Sequence, residues 1–343
     1  MKQFGFSGAY FEITNQCNLN CATCYNRSGL NKQTIESSIE QITTAVRTLV
    51  SHGANIISFA GGEPLLHSQL DAILKLTQDY PKTWFTFVTN GTIHKQNFID
   101  FYNTCGNVNV QISLDGSCDE INRLTRGNGN FNRTKAFIQK LIPNHRTIIT
   151  RMVVSRYNYH DVEKFYRETL SWGCMPDFAF VNRIGNAQSG WEEMSVTPQQ
   201  KLQVLKLIMS LNEEHQLKVN LPFSTNHCPL AEDYDGMLNL IKPDGTILPC
   251  QLIYDEKFTL GNIFEFDPEQ FIKRCDDISK LVLKRFDLDY NCHRCVVRNH
   301  CKHGCMAYAI DFCGDPLAYD GECEYRRLQF LAHDMQNVRF QKV

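Results

Sequence analysis

Three cysteines stand within eight residues near the start of the chain, Cys17, Cys21 and Cys24 in NQCNLNCATCYN. Seven more, Cys228, Cys250, Cys292, Cys295, Cys301, Cys305 and Cys323, fall between residues 228 and 323, with Cys313 as an additional member. Cys105, Cys118, Cys174 and Cys275 are scattered singly and read as small buried hydrophobes. Whether such a chain is stapled by disulfides or by metal depends on its redox compartment. The opening MKQFGFSGAYFEIT lacks the long apolar stretch of an export signal, and no apolar run reaches the length of a membrane span. The expected location is therefore cytoplasmic, where thiols stay reduced and clustered cysteines bind metal. Lys+Arg 35 against Asp+Glu 37 gives a formal charge of -2, so neither nucleic acid nor a membrane surface is expected as a partner.

From residue 4 to 184 short apolar runs alternate with helical patterns. The runs cover 4–14, 55–61, 84–91, 108–116, 147–155 and 177–184. They are nearly continuous in apolar residues, as parallel strands covered by helices are. Between the first two, Ile35, Ile39, Ile42, Val46 and Leu49 form one helical stripe, and further helices are expected over 67–79, 95–104, 131–142 and 158–172. The fold class expected is α/β: six strands with five intervening helices make a partial (β/α)6 barrel over residues 1–195. A linker helix capped by Thr197, with Pro198 at its first position, belongs to residues 196–223. Residues 224–325 open with a hairpin turning at Pro243-Asp244-Gly245; the remainder reads as loop-rich and held together by metal. Residues 326–343 read as a closing helix and a frayed end.

The spacing C-x3-C-x2-C directly after a strand lets one loop bind one metal or cluster. A structural zinc would want a fourth Cys or His, and none occurs before His52. An iron–sulfur cube held by three cysteines leaves one iron open to a substrate or cofactor. Gly61-Gly62-Glu63-Pro64, Thr89-Asn90-Gly91 and Ser113-Leu114-Asp115-Gly116 end the second, third and fourth strands, the face on which β/α barrels carry their sites. Gly61 and Gly62 allow close backbone approach to a ligand, and Glu63 offers an acceptor for an ammonium group. Ser113 suits a ribose or carboxylate oxygen, and Arg126 a carboxylate.

Together these motifs resemble the radical S-adenosylmethionine (radical SAM) enzymes. The resemblance implies a [4Fe-4S] cluster on Cys17, Cys21 and Cys24, with the methionine part of S-adenosyl-L-methionine on its open iron. It further implies that Gly61, Gly62, Glu63, Ser113 and Arg126 bind the cofactor, that Thr23 lies beside the cluster, and that Val181 packs on adenine. Arg151 either contacts the cofactor or forms a surface ion pair. The implied chemistry is reductive cleavage to a 5′-deoxyadenosyl radical, which takes hydrogen from an unactivated carbon.

The later pattern, Gly245-x4-Cys250, then Cys292-x2-Cys295-x5-Cys301-x3-Cys305 and Cys323, resembles the SPASM domain of peptide- and protein-modifying radical enzymes. By that resemblance Cys292, Cys295, Cys301 and Cys323 hold one auxiliary [4Fe-4S] cluster, and Cys228, Cys250 and Cys305 another, three clusters in all. The fourth ligand of the latter is Cys313, a non-cysteine group, or substrate. A zinc ribbon is the alternative for this region.

The implied function is a maturase that cross-links a ribosomally made precursor peptide through a thioether or carbon–carbon bond, an auxiliary cluster taking the second electron. Formylglycine formation in sulfatases is the runner-up. In that group an Asp serving as base follows the cysteine matching Cys250, whereas here the residue is Gln251, with Asp255 nearby. A small-molecule (cofactor or tetrapyrrole) radical oxidoreductase and a non-enzymatic iron–sulfur carrier are the remaining alternatives. Expected partners are the peptide or protein substrate and an electron donor such as flavodoxin or ferredoxin. Because only sixteen residues precede Cys17, leader recognition is expected to fall to a separate protein or to the barrel edge. Trp191 either anchors a peptide or packs against the linker helix.

Overall fold

The computed structural model describes residues 6–29, 33–141, 147–222, 238–286, 292–301 and 304–330. Strands β1 (Gly8–Thr14), β2 (Ile56–Gly61), β3 (Trp84–Thr89), β4 (Val108–Ser113), β5 (Ile148–Val154) and β6 (Cys174–Phe180) are parallel and adjacent in chain order. Helices α1 (Ile39–Ser51), α2 (Leu70–Gln78), α3 (Gln96–Thr104), α4 (Asp119–Arg126), α5 (Asn130–Leu141) and α6 (Val162–Ser171) connect them. The sheet stays open, an α/β partial barrel as expected.

Each crossover helix forms for a local reason. In α1 the buried residues Ile42, Ala45, Val46 and Leu49 recur at spacings of three, one and three. Ser38 caps its start in a capping box with Gln41, so Ile35 lies outside the helix and is exposed. The buried face joins a core in which the sheet residues Phe59 and Phe85 stack at 5.6 Å and Phe87 of β3 meets Phe98 of α3 at 5.2 Å. Each such ring contributes about 1.5–3 kcal/mol by leaving water.

Three features depart from expectation. The sixth strand starts at Cys174, three residues before the expected 177, and contains Pro176. Proline is tolerated there because β6 is the sheet edge. Helix α4 went unread because its sequence DEINRLTR buries Asn122 and Thr125 rather than an apolar stripe. The chain beyond residue 238 is more ordered than its cysteine density suggests.

After the short α7 (Trp191–Met194), α8 (Pro198–His215) begins at the Thr197 cap as read. Strand β7 (Leu238–Ile241) then pairs parallel with β1, and β8 (Thr246–Leu248) and β9 (Gly261–Asn262) extend the sheet antiparallel. The order is β6-β5-β4-β3-β2-β1-β7-β8-β9. Helix α9 (Pro268–Phe286) buries Phe271, Cys275, Ile278 and Val282 in the same core as β1 and α1. Helices α10 (Arg298–Cys301) and α11 (Met306–Cys313) follow, and residues 323–330 are helical. Strands β7 to β9 and helix α9 thus belong to the same sheet and core as β1 and α1.

Candidate functional site

The loop after β1 carries Cys17, Cys21 and Cys24 with no helix of its own, so its backbone polar groups find partners elsewhere. Gly62 N–H donates to Thr14 O at 2.8 Å and Glu63 N–H to Gln16 O at 2.7 Å. Ala22 N–H donates to Thr125 O at the end of α4, and Asn186 N–H to Cys24 O, both at 2.8 Å. The Asn186 amide also donates to Cys21 O at 2.9 Å. Asn90 reaches Asn18 Oδ1 at 3.0 Å, and Asn18 donates to Thr92 Oγ1 at 2.8 Å. Four separate segments therefore fix one loop.

The glycines are explained by this clamp. A Cβ on Gly61, whose φ is +127°, would lie 2.0 Å from Thr14 O, and one on Gly62 would lie 2.0 Å from Gln16 O. Gly185, with φ +58°, would meet Cys24 O at 2.1 Å. What Gly61 and Gly62 approach closely is the backbone leading into the cysteine loop.

Cys17, Cys21 and Cys24 surround a cavity of about 220 Å³ at the carboxyl ends of the strands, which Thr23, Gly61, Gly62, Ser113 and Arg126 also line. Arg126 Nε lies 2.9 Å from Asp115 Oδ2, and Nη1 lies 4.0 Å from Cys21 Sγ. Asp115 is fully buried and accepts from Val153 N–H at 2.9 Å and Thr125 Oγ1 at 2.8 Å. It aims Arg126 across the cavity. Sequence reading assigned Asp115 no role, and it missed Asn90, Gln111 and Asn182, polar residues on the same wall.

Two expected contacts are corrected. Glu63 is fully buried and accepts from Leu65 N–H, Thr89 Oγ1 and Asn90 N–H at 3.1, 2.7 and 2.8 Å. Its carboxyl ties the end of β2 to that of β3 and does not line the cavity, so it is no acceptor for a ligand's ammonium group. Burial pushes its pKa up to about 7. Val181 is buried among Ala187, Met194 and Val196, while its neighbours Phe180 and Asn182 face the cavity. Arg151 both pairs with Asp177 and lines the cavity.

Burial raises all three thiols, Cys17 to about 12 and Cys21 to about 11, so without metal they are protonated at neutral pH. Among the described residues no three such side chains are gathered tightly enough for a single metal ion. The thiols ring a space instead, which suits a cluster of several irons, whose thiolate ligands stand further apart. Beside them Glu12, also buried, accepts from Tyr25 Oη at 2.8 Å, from Asn26 Nδ2 at 3.2 Å and from Tyr254 Oη. This joins the loop to the chain that follows Cys250.

Cys292, Cys295, Cys301 and Cys323 line a second cavity of about 40 Å³, together with Asp320 and Arg326. Asp320 Oδ2 accepts from Cys305 N–H at 2.8 Å, and Arg326 Nη1 donates to Asp320 Oδ1 at 2.8 Å. Cys228 lies outside the described residues. Cys250 packs against the main core. The structure does not bring Cys313 to Cys305: the two bracket α11, about 12 Å of helix. Cys313 is exposed and donates to Ala309 O at 3.3 Å. Gln251 lines the first cavity, whereas Asp255 pairs with Lys257 at 2.8 Å and does not line it. Trp191 packs on the group formed by Val181, Ala187, Met194 and Val196.

Residues 11–169 match the model of the Radical SAM superfamily. Over 310 residues the chain is 26% identical to the sporulation killing factor maturation protein SkfB of Bacillus subtilis (strain 168), covering 81% of this chain and 70% of that protein. Over 326 residues it is 24% identical to the mycofactocin maturase MftC of Mycolicibacterium smegmatis, covering 91% and 81%. Streptococcus suis SuiB, solved bound to the precursor peptide SuiA, shares the fold with a TM-score of 0.74 at 16% identity, covering 94% of this chain and 76% of that one.

Proposed function

Since residues 11–169 form a radical SAM domain and the chain is an enzyme, we propose that it is a maturase that cross-links a ribosomally made peptide. The observation that carries this reading is the pair of cysteine-lined cavities, one at the carboxyl ends of the parallel strands and one beyond the linker helix. Cys17, Cys21 and Cys24 hold a [4Fe-4S] cluster at the first, and S-adenosyl-L-methionine lies against Gly62, Ser113 and Arg126. Cluster and cofactor together supply hydrogen-atom abstraction from an unactivated carbon.

The protein's own residues orient and shield. Arg126, fixed by Asp115, offers a cation to the cofactor's carboxylate. Ser113 and the polar wall of Asn90, Gln111 and Asn182 hold its remaining polar groups. The buried thiols lose their protons only as metal enters, so cluster loading is favoured by higher pH. Cys292, Cys295, Cys301 and Cys323 hold an auxiliary cluster that takes the second electron, and Cys228, Cys250 and Cys305 contribute to another, completed by substrate or a non-cysteine ligand. A low-potential donor of the flavodoxin or ferredoxin kind supplies the first electron. SkfB and MftC, both named maturases, and SuiB, solved with its precursor peptide, support the peptide as substrate. Gln251 at the cavity wall, with Asp255 turned to Lys257, disfavours the formylglycine reaction because an amide accepts no proton there.

The test is mass spectrometry of a candidate precursor peptide after anaerobic turnover. Loss of the mass of two hydrogens, with a mapped linkage, is expected. Unchanged mass with deuterium taken up from solvent would instead mean epimerisation.

A further inference from the structure

Arg326 is the most deeply buried cation near the second cavity, 1% exposed, and it lines the wall together with Cys301 and Cys323. Its Nη1 donates to Asp320 Oδ1 at 2.8 Å, and Nη2 lies 2.6 Å from Asp320 Oδ2. Asp320 is in turn held by the N–H groups of Cys305 at 2.8 Å and Glu322 at 3.2 Å. The guanidinium is thus fixed in place on one side. Nε, like Nη2, is buried with no hydrogen-bond partner among the described residues. A buried N–H left without an acceptor loses its hydration and gains nothing, so a fold keeps one where an acceptor belongs to the working protein. The sulfurs of a cluster on the four surrounding cysteines are acceptors of that kind.

We propose that Arg326 sets the reduction potential of the auxiliary centre at Cys292, Cys295, Cys301 and Cys323, through its fixed charge and its free Nε–H donated to sulfur. Reduction adds one electron and one negative charge to the centre, while the guanidinium keeps its proton throughout. A fixed donor and cation beside the sulfurs stabilises the reduced form and makes the centre a better electron acceptor. Arg326 is a positioning residue that acts through the centre. The inference rests on the reading that these four cysteines hold a cluster.

The experiment uses the full chain with Cys17, Cys21 and Cys24 replaced by Ala, so that only auxiliary centres contribute. Iron and sulfide are counted, and the spectroscopic signal lost on a further Cys292→Ala is followed in a redox titration. Arg326→Gln is expected to lower the reduced-to-oxidised ratio at fixed potential about tenfold, which is about 59 mV for one electron. Arg326→Lys keeps the charge and the Asp320 partner but lacks the Nε donor, and is expected to fall between. An unchanged titration in both, with parental iron content, overturns the proposal. Should Arg326→Gln lose iron, Arg326→Lys decides: a lowered potential supports the proposal, and an unmoved potential or lost iron makes Arg326 a structural brace only. No Cys292-dependent centre in the parent would overturn the cluster reading itself, and this inference with it.

Discussion

Hydrogen bonds from four separate segments, backbone bonds from three of them and the Asn90 side chain from the fourth, hold the cysteine loop after β1, whereas the four rear cysteines sit on short helices and loops around one buried ion pair, Asp320 with Arg326. In the front loop Thr14, Gln16, Cys21 and Cys24 accept through their carbonyls, so its path is set by the main chain and does not wait for metal. In the rear, the backbone bonds are local turns, Cys295 N–H to Cys292 O at 3.0 Å and Cys301 N–H to Val297 O at 2.9 Å, and the Asp320 carboxylate ties Cys305 to the chain before Cys323. A segment held by local turns and one ion pair gains more of its order from a bound cluster than a loop clamped from distant strands does. Two similar ligand sets thus differ in what holds them before a cluster arrives.

The largest expected effect separates the two chemically. Replacing Cys17, Cys21 and Cys24 with Ala takes 5′-deoxyadenosine formation to background, measured by chromatography after anaerobic reduction. Cys292→Ala or Cys295→Ala leaves uncoupled cofactor cleavage largely intact while peptide product falls. Equal loss of both activities in a folded rear variant would break the distinction. Total iron in the unaltered chain should approach about twelve per chain, three cubes of four.

A matched pair of glycines gives the next effect. Gly62→Ala drives a Cβ to within 2.0 Å of the Gln16 carbonyl, a backbone atom that cannot swing aside. It should cost the metal-free protein about 2–4 kcal/mol in denaturant unfolding. Gly304→Ala meets side-chain atoms, Asp320 Oδ2 at 2.1 Å and Arg326 Nη1 at 2.4 Å, from a backbone φ of +77°. Its strain of about 1–2 kcal/mol should be felt mainly as lost rear iron. If Gly62→Ala left metal-free stability unchanged, the front loop would not be held by its backbone.

The smallest effect concerns pH. Glu63 keeps its proton in the folded state up to about pH 7, well above the ordinary 4.5. From pH 4.5 to 7 the unfolded chain has lost that proton and the folded one has not, so this group's contribution to stability falls as pH rises and levels off above 7. Glu63→Gln should flatten that part of the stability profile. A profile that kept its slope would place the titrating group elsewhere.

How far the sequence disclosed all this varied with the kind of force involved. Strands β1 to β5 lie within a few residues of their apolar runs because burial of whole strands writes itself into composition. The site's cysteines and Ser113 meet at one cavity because a parallel sheet gathers strand ends whatever lies between them, and Arg126 joins them from the end of α4. Asp115, Asn90 and Asn186 stayed hidden, since their value lies in partners distant in sequence and no local pattern marks a hydrogen bond to a loop carbonyl. Glu63 was misread for the same reason: a glutamate in a glycine-rich turn looks available until three donors are found around it. Helix α9 was legible after all: Phe271, Cys275, Ile278 and Val282 form its buried stripe, with Cys275 a small buried hydrophobe within it.

The seat of β7 against β1 also bears on how the protein is made. Residues 8–11 pair with 238–241, so on the ribosome the first strand keeps one edge open until about two thirds of the chain has been synthesised. An open, fully buried-type strand is a template for aggregation. A fragment truncated before residue 238 would carry every front-site cysteine and still expose that edge, so it should express as aggregate rather than as a minimal radical enzyme.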